Sequence, residues 1–308
     1  MNNQNQPLKI WAGLITLYLI WGSTYLGIRF VVESVPPFMV SGLRNFFAGS
    51  ILFTFAILSR KYQKPSAKML ITTTLSGFFM LTIGNGLTTT VAKWVPSSYS
   101  ALFSASGPVM LIALLWLWNS EKPKPKVILG AFLGMVGVGI LMSLKSLALK
   151  GTEQYYLLGI FCLFFAVLGW YIGVVLVKNA SINHYHASQI AGMQMIAGGC
   201  LSLILSGLLG EFDTFHLQNI TPKALGAFAY LLIFGSVIGF LVFGWLSKVA
   251  PPTLVATYTY VNPLVAMILG ATFANEHLHP LMLLAGAIIV TAVVLITTAN
   301  RNVSLKEN

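Results

Sequence analysis

The chain has 308 residues, of which 56% are hydrophobic and only 8% charged, and its mean hydropathy is +0.81. A soluble domain covers its surface with about 25% charged residues, so a soluble globular protein is excluded and the outer surface must face lipid. The net charge of +11 does not indicate nucleic-acid binding, because basic residues of membrane proteins collect in short cytoplasmic loops. Two cysteines, Cys162 and Cys200, without a CxxC spacing indicate neither a metal site nor a disulfide framework.

Ten apolar stretches recur along the chain, each long enough to cross a hydrocarbon core about 30 Å thick. In chain order the predicted spans are 10–29, 37–58, 69–90, 97–118, 127–144, 155–177, 187–208, 224–246, 252–273 and 280–299. Prolines and charged residues mark the breaks between them. The sequence therefore predicts an all-α integral membrane protein with ten transmembrane helices.

The distribution of lysine and arginine predicts the orientation. An even number of spans puts both termini on one side. If that side is the cytoplasm, most loop lysines and arginines, such as Lys61, Lys124 and Arg301, face it too. Fewer, such as Lys150 and Lys223, face the outside. Because positively charged loops stay in the cytoplasm, we expect both termini there.

The second half of the chain repeats the first. An offset of 155 residues pairs Lys93 with Lys248, Pro96 with Pro251, Pro108 with Pro263 and Glu121 with Glu276. Each copy holds five spans, an odd number, so the second copy must run through the bilayer upside down. We expect two five-helix domains, 8–148 and 154–300, inverted around a central cavity. Inverted repeats of this kind are the architecture of secondary transporters.

The same motifs resemble the EamA-like branch of the drug/metabolite transporter superfamily. They are Trp21-Gly22-Ser23, Arg44, Pro108 and Glu121 in the first copy, and Pro251-Pro252-Thr253, Tyr260-Val261-Asn262-Pro263, Glu276 and Gly286 in the second. Their order and spacing extend over nearly the whole chain. The resemblance implies a ten-helix bacterial inner-membrane exporter of amino acids or related metabolites, with a central cavity between the two halves.

Polar and aromatic side chains inside the apolar spans are the candidates for a substrate site, because a cavity must replace the water around a polar solute. The predicted substrate-binding residues are Trp21, Ser23, Thr24, Tyr25, Arg44, Asn85, Thr89, Tyr99, Ser106, Trp170, Tyr171, Tyr258, Tyr260 and Asn262. Thr88 and Ser104 are further hydroxyl candidates. Any single serine or threonine can instead satisfy its hydroxyl on the carbonyl four residues earlier. An asparagine amide has more hydrogen-bonding capacity than one such bond uses.

Arg44 is the most informative single charge. It lies seven residues into the predicted second span, about 10 Å deep at 1.5 Å per residue. A charge at that depth indicates a functional site, for which an anionic carboxylate is a candidate ligand. A guanidinium that snorkels to the outer headgroups explains the position equally well.

Two repeat-related pairs have predicted structural roles. Pro108 and Pro263 lie within spans, where a proline removes a backbone hydrogen bond and kinks the helix. Glu121 and Glu276 lie beside turns at helix ends, which favours capping, or neutralisation of nearby lysines, over ion coupling.

The chain has seven acidic residues, and none lies near the middle of a predicted span, where ion-coupled transporters often hold a carboxylate. Facilitated export, exchange and coupling through the glutamates at helix ends all remain, and we favour the first. The sequence lacks a phosphate-binding glycine–lysine loop. Its five histidines lie in or beside loops. We therefore expect no cofactor, no metal site and no catalytic residue.

The predicted function is a secondary transporter that exports small polar metabolites such as amino acids by alternating access. A channel-like facilitator and an intramembrane enzyme acting on lipids are the alternatives. The expected partners are the lipid bilayer and a small-molecule substrate, without nucleic acid and with the chain acting as a monomer.

Overall fold

The computed structural model describes residues 6–120, 122–144, 150–182, 184–250, 252–255 and 257–304. Within these ranges the chain is helical and forms no strand. The first to tenth spans are Gln6–Val31, Pro37–Leu58, Ala67–Val91, Ser97–Trp118, Pro125–Met142, Tyr156–Asn179, Ala187–Leu208, Pro222–Val249, Tyr258–Phe273 and Pro280–Ser304. A short helix, Pro252–Val255, precedes the ninth span.

Seven of these helices are long and apolar enough to cross a bilayer, namely the first four, the sixth, the seventh and the eighth. The fifth, ninth and tenth spans contain shorter apolar helices, Pro125–Gly137, Val261–Phe273 and Pro280–Ala292. The predicted ten-helix membrane fold is confirmed, and the predicted second and seventh spans, 37–58 and 187–208, coincide with helices.

The exposed surface is apolar, and polar side chains are buried among apolar ones in the interior. Leu117 is 81% exposed and Phe161 is 61% exposed, whereas the side chains of Asn45, Ser98 and Gln189 are fully buried. In water such a surface would expose far more contiguous apolar area than a soluble monomer tolerates. In lipid the arrangement is stable, because polar side chains are satisfied between helices while apolar ones face the hydrocarbon.

The two halves pack with a pseudo-twofold symmetry. The second span packs against the seventh, and the fifth packs against the tenth. The first span contacts the eighth and ninth, and its repeat partner, the sixth, contacts the third and fourth. Exchanging the halves therefore reproduces the same neighbours, as an inverted repeat requires.

Glycines set the distance between the second and seventh spans at the centre of the bundle. An offset of 150 residues carries Pro37 onto Ala187, the first residue of each helix, and likewise carries Gly42 onto Gly192 and Gly49 onto Gly199. A Cβ atom at Gly49 would lie 2.6 Å from the backbone nitrogen of Ile196, and one at Gly199 would lie 2.5 Å from that of Phe46. Only glycine permits so close a crossing of two helix backbones.

The third and eighth spans are interrupted at equivalent places. Each contains an eight-residue π-helical segment, Phe78–Asn85 in the third span and Leu231–Ile238 in the eighth. A π segment widens the helix and is frequent at functional sites.

The fourth span is also discontinuous. The fourth breaks after Ser104 and restarts at Gly107. Pro108 is therefore in the first turn of a new helix and does not kink a continuous one, because at that position its missing N–H costs no hydrogen bond. Pro263 does lie inside a helix, Tyr258–Phe273.

One end of the bundle is held by carboxylates. Glu276 accepts hydrogen bonds from the backbone nitrogens of Ser97 (2.7 Å) and Ser98 (3.2 Å), at the N-terminus of the fourth span. Glu211 likewise accepts from the backbone nitrogens of Phe38 (3.2 Å) and Met39 (2.9 Å), at the N-terminus of the second span. Each carboxylate meets the positive end of a helix in the other half. We call this the glutamate end. Glu121, the predicted structural partner of Glu276, lies outside the described residues.

The opposite end, which we call the lysine end, carries Lys61, His186 and Lys248. His186 caps the seventh span by accepting a hydrogen bond from the backbone nitrogen of Ser188 at 3.3 Å. Burial lowers the pKa of His186, and Lys61 and Lys248 lower it further. At the glutamate end, burial also lowers the pKa of Lys93, opposed by the nearby Glu211 carboxylate.

Candidate functional site

A cavity of about 110 Å³ lies between the two halves, and seven of the ten spans contribute to its wall. Only the fifth, seventh and tenth spans are absent from its described lining. This volume is well above the 10–15 Å³ or so that a single water molecule requires, so the chamber can hold several. The site is thus a central chamber of the kind that inverted-repeat transporters place between their repeats.

Aromatic rings form one side of the chamber, with Trp21 at their centre. The ring centroid of Trp21 lies 4.9 Å from that of Tyr258, 5.8 Å from that of Phe240 and 5.9 Å from that of Trp170. All three pairs are edge-on, the geometry that aromatic quadrupoles favour. An offset of 149 residues carries Trp21 onto Trp170, so each half contributes one tryptophan to the chamber.

The π segment of the eighth span accepts hydrogen bonds from two side chains of the first half. The indole nitrogen of Trp21 donates to the carbonyl of Gly235 at 3.1 Å. The Nε of Arg44 donates to the hydroxyl of Ser236 at 2.6 Å. Both acceptors lie in the π segment, so the irregular backbone of one half orients side chains of the other.

Arg44 lies in the chamber wall and is only 6% exposed. Of the two sequence interpretations, the structure shows the guanidinium turned into the protein, where it binds Ser236, and not extended toward the end of its helix. Among the residues that the structure describes, no carboxylate pairs with Arg44. The cavity therefore carries a buried positive charge that the described protein groups do not neutralise.

Two asparagines line the chamber, and they differ in whether their side-chain amides are hydrogen-bonded. Asn262, oriented so that its amide is satisfied, donates to the carbonyls of Tyr18 (3.2 Å) and Tyr258 (3.0 Å). The Nδ2 of Asn85 is buried and has no hydrogen-bond partner among the described residues. A buried donor left unpaired costs about 1–3 kcal/mol, so Asn85 is available to a ligand.

Nine of the fourteen predicted binding residues line the chamber: Trp21, Thr24, Tyr25, Arg44, Asn85, Trp170, Tyr171, Tyr258 and Asn262. The hydroxyl candidates Thr88 and Ser104 line it too. The side chain of Tyr260 lies outside the described residues.

Four predicted binding residues lie away from the chamber. The hydroxyl of Ser23 lies 2.6 Å from that of Tyr230. Tyr99 is buried in an apolar cluster, where it accepts a hydrogen bond from Tyr156. Thr89 donates to a carbonyl of its own helix, and Ser106 donates to the carbonyl of Phe103, three residues earlier.

Sequence reasoning missed Phe240 and Thr259, which also line the chamber. The repeat held the signal that could have found them. The offset of 155 residues carries Asn85 onto Phe240 and Ser104 onto Thr259. For these two residues, a position that lines the chamber in the first half pointed to its partner in the second half.

Two further features lie beside the chamber, one toward each end of the bundle. Toward the glutamate end the chamber continues as a crevice too tight for a water molecule, lined by Tyr25, Ile28, Thr88, Ala92, Ser97 and Ser100. On the side of the lysine end, the hydroxyls of Tyr18 and Thr257 form a short hydrogen bond between the first and ninth spans.

Nothing in the described part of the chain forms a group of three or more histidine, cysteine, aspartate or glutamate side chains that could hold a metal ion. The chamber wall supplies hydrogen-bond donors, hydroxyls and aromatic faces. Such a set can bind and release an organic solute.

Comparison with known proteins agrees with this architecture. The profile of the EamA-like transporter family matches residues 9–143 and again residues 157–298. The chain is 33% identical over 296 residues to the uncharacterized inner membrane transporter YedA of Escherichia coli strain K12, covering 95% of this chain and 92% of that protein. It is 25% identical to the uncharacterized transporter YvbV of Bacillus subtilis, covering 94% and 91%.

A WAT1-related chloroplastic protein of Arabidopsis thaliana is 22% identical, covering 95% of this chain and 70% of that protein. A solved crystal structure with 18% sequence identity superimposes with a TM-score of 0.66, covering 95% of this chain and 97% of the other. That likeness shows a shared fold.

Proposed function

Because this chain belongs to the EamA-like transporter family, we propose that it exports small polar metabolites such as amino acids by alternating access through its central chamber. Its relatives are named as transporters, and the protein is a multi-pass inner-membrane transporter. The observation that carries the proposal is a polar and aromatic chamber walled by both halves, beside the points where their helices are interrupted.

The wall of the chamber supports binding of a small polar solute. Asn85 and Arg44 offer hydrogen-bond donors, and Thr24, Thr88 and Ser104 offer hydroxyls, all within the membrane-spanning part of the chain. In a site without bulk water, such groups replace the hydration of a solute. The aromatic rings around Trp21 offer contact to its apolar part.

Alternating access is supported by a contact between the halves beside the chamber. The Tyr18–Thr257 hydrogen bond joins the first span to the ninth, one from each half, and can open by a movement of one half against the other. The break in the fourth span adjoins the chamber, where a discontinuous helix is tolerated because it lines a cavity. Rocking of the repeats around a fixed central site would then expose it to each side in turn.

Facilitated export without an ion gradient fits the composition of the site. No aspartate or glutamate is among the described residues that line the chamber, whereas proton-coupled transporters often hold a carboxylate at this depth. Glu211 and Glu276 are engaged with helix N-termini at one end of the bundle. With both termini in the cytoplasm, that glutamate end faces outward.

Counterflow in proteoliposomes tests the proposal. Purified protein is reconstituted, and uptake of a panel of labelled amino acids is measured with and without unlabelled substrate on the far side. We expect saturable uptake that is accelerated by substrate on the far side. Flux that neither saturates nor shows counterflow would identify a channel, and absence of flux for every amino acid would refute this substrate class.

Two neighbouring threonines provide a matched control for the site. Thr88 lines the chamber, whereas Thr89 lies outside it, and both hydroxyls donate to carbonyls of their own helix. Thr88→Val removes a hydroxyl from the chamber and should raise KM about three- to tenfold, the value of one hydrogen bond. Thr89→Val should leave KM unchanged. Equal effects of the two substitutions would place the substrate elsewhere.

A further inference from the structure

The charge of the chamber identifies one part of the solute that it binds. Arg44 is the only charged side chain among the described lining residues, and it is buried. A bare guanidinium at this depth is costly in a membrane protein. Its one hydrogen bond among the described residues is to a neutral hydroxyl, that of Ser236. A ligand with a negative charge would supply the missing partner.

A second, independent group points to the same kind of ligand. The Nδ2 of Asn85 is a buried donor that lacks an acceptor among the described residues. Asn85 and Arg44 come from different spans and both line the chamber. The unmet hydrogen-bonding demand of the chamber is therefore for acceptors, which a carboxylate supplies on two oxygens.

The repeat shows that the first half carries a charge at a position where the second half carries none. The offset of 150 residues carries Arg44 onto Gln194. Gln194 is 5% exposed, and its amide nitrogen lies 2.9 Å from the sulfur of Met80, in the π segment of the third span. It does not belong to the described lining of the chamber. The fold thus accommodates a neutral amide at this helix position, and the arginine in the first half is not required by helix packing alone.

A positively charged group of a solute would find no anionic side chain in the described lining. An ammonium group would find the faces of aromatic rings and the carbonyl oxygens of amides, and no carboxylate. A positively charged solute without an acid group would be repelled by Arg44.

We propose that Arg44, assisted by Asn85, anchors the carboxylate of the transported solute, so that the substrates are small organic carboxylates and an α-amino group is not required. The assignment rests on the proposed function, in which the chamber is the substrate site. The apolar part of the solute packs against the aromatic rings around Trp21. Amino acids fall within this class through their carboxylate.

Four probes of similar shape separate the two charges. 3-Phenylpropionate carries a carboxylate alone, and phenylalanine carries a carboxylate and an ammonium. 3-Phenylpropionamide carries neither charge, and phenylalaninamide carries the ammonium alone. Binding of each to the purified protein in detergent is measured by isothermal titration calorimetry. We expect both carboxylates to bind at least tenfold more tightly than the corresponding amides, and 3-phenylpropionate to bind at least as tightly as phenylalanine.

Variants at Arg44 assign the effect to its charge. Arg44→Gln copies the residue of the repeat partner and should abolish the preference for carboxylates. Arg44→Lys keeps the charge and should retain part of that preference. Gln194→Met, at the equivalent position outside the chamber, should leave it intact. A structural role for Arg44 would instead weaken all four probes alike, and Arg44→Lys shows the effect of charge even where Arg44→Gln fails to fold.

The outcomes distinguish this inference from the proposed function. Amides that bind as tightly as the carboxylates, failure of both carboxylates to bind, or an unchanged preference in Arg44→Gln would overturn the inference. Binding in detergent does not depend on transport. Carboxylate binding through Arg44 in a protein without counterflow would refute alternating access while sustaining the anchor. Counterflow with equal rates for carboxylates and amides would sustain alternating access and refute the anchor.

Discussion

The second and seventh spans occupy equivalent positions in the two halves and differ where function would require it. Both are helices of 22 residues that cross at the centre of the bundle on glycines in the same register, Gly42 and Gly49 in one helix and Gly192 and Gly199 in the other. Between those glycines, the second span carries Arg44 at the position where the seventh carries Gln194. Packing is conserved between the halves and charge is not.

The starts of the same two helices differ as well. The second span begins under the Glu211 carboxylate, which accepts its first free N–H groups. The seventh begins under His186, beside Lys61 and Lys248. The positive end of a helix attracts an anion and repels a cation, so these two ends are in opposite electrostatic environments. The close packing of the two helices keeps the repeats alike. The charges make the two halves differ at the chamber wall, and they make the two ends of the bundle differ from each other.

The largest effect on stability is expected when the seventh span is given the charge that only the second span carries. Gln194→Arg places a second guanidinium deep in the bundle, where a central arginine costs about 2.5–3.5 kcal/mol. We expect a clear fall in the midpoint of thermal unfolding in detergent. Gln194→Met, which fills the same space without charge, should stay near the wild-type midpoint. An arginine tolerated at position 194 would mean that the seventh span has its own means of stabilising a charge.

A smaller effect is expected where the two spans are alike. Gly49→Ala and Gly199→Ala each push a Cβ atom into the backbone of the facing helix, and such overpacking costs about 1–3 kcal/mol. Symmetry predicts similar losses of thermal stability for the two variants. Gly139→Ala is the control, because a Cβ atom there meets nothing within 4 Å. A large loss in one variant and none in the other would show that the crossing is not symmetric.

The sequence predicted the spans and their inversion because both depend on local features. A run of apolar residues suffices to predict a membrane helix, and the odd number of spans in each copy predicts the inversion. Trp21 and Trp170 were both predicted as binding residues, and both line the chamber.

The orientation of individual hydroxyls could not be predicted in the same way. Thr88 and Thr89 both donate to their own helix, yet only Thr88 lines the chamber. Which of two neighbours faces the chamber depends on the rotation of the third span, and the π segment before them alters that rotation. The partner of Glu276 could not be identified from local sequence either. It is the start of a helix in the other half, far away along the chain.

The smallest expected effect concerns the start of the seventh span. Burial and two lysines lower the pKa of His186 below its ordinary value of 6.5. Between the lowered value and 6.5 the unfolded chain binds more protons than the folded chain, so stability rises with pH and is lost as the pH falls through this window. His186→Asn keeps an acceptor for the helix N-terminus but does not titrate. We therefore expect thermal stability to fall less between pH 7 and pH 5 in His186→Asn than in the wild type.

Removing one of the neighbouring charges provides the control for that experiment. Lys61→Gln should bring the pKa of His186 closer to 6.5 and reduce the loss of stability at pH 5, because protonation of the imidazole then meets less repulsion. The change is small, since His186 is partly exposed and water screens the lysines. If wild type, His186→Asn and Lys61→Gln lost stability equally, protonation at the start of the seventh span would have no influence on the fold. The electrostatic difference between the two helix ends would then reside in Glu211 alone.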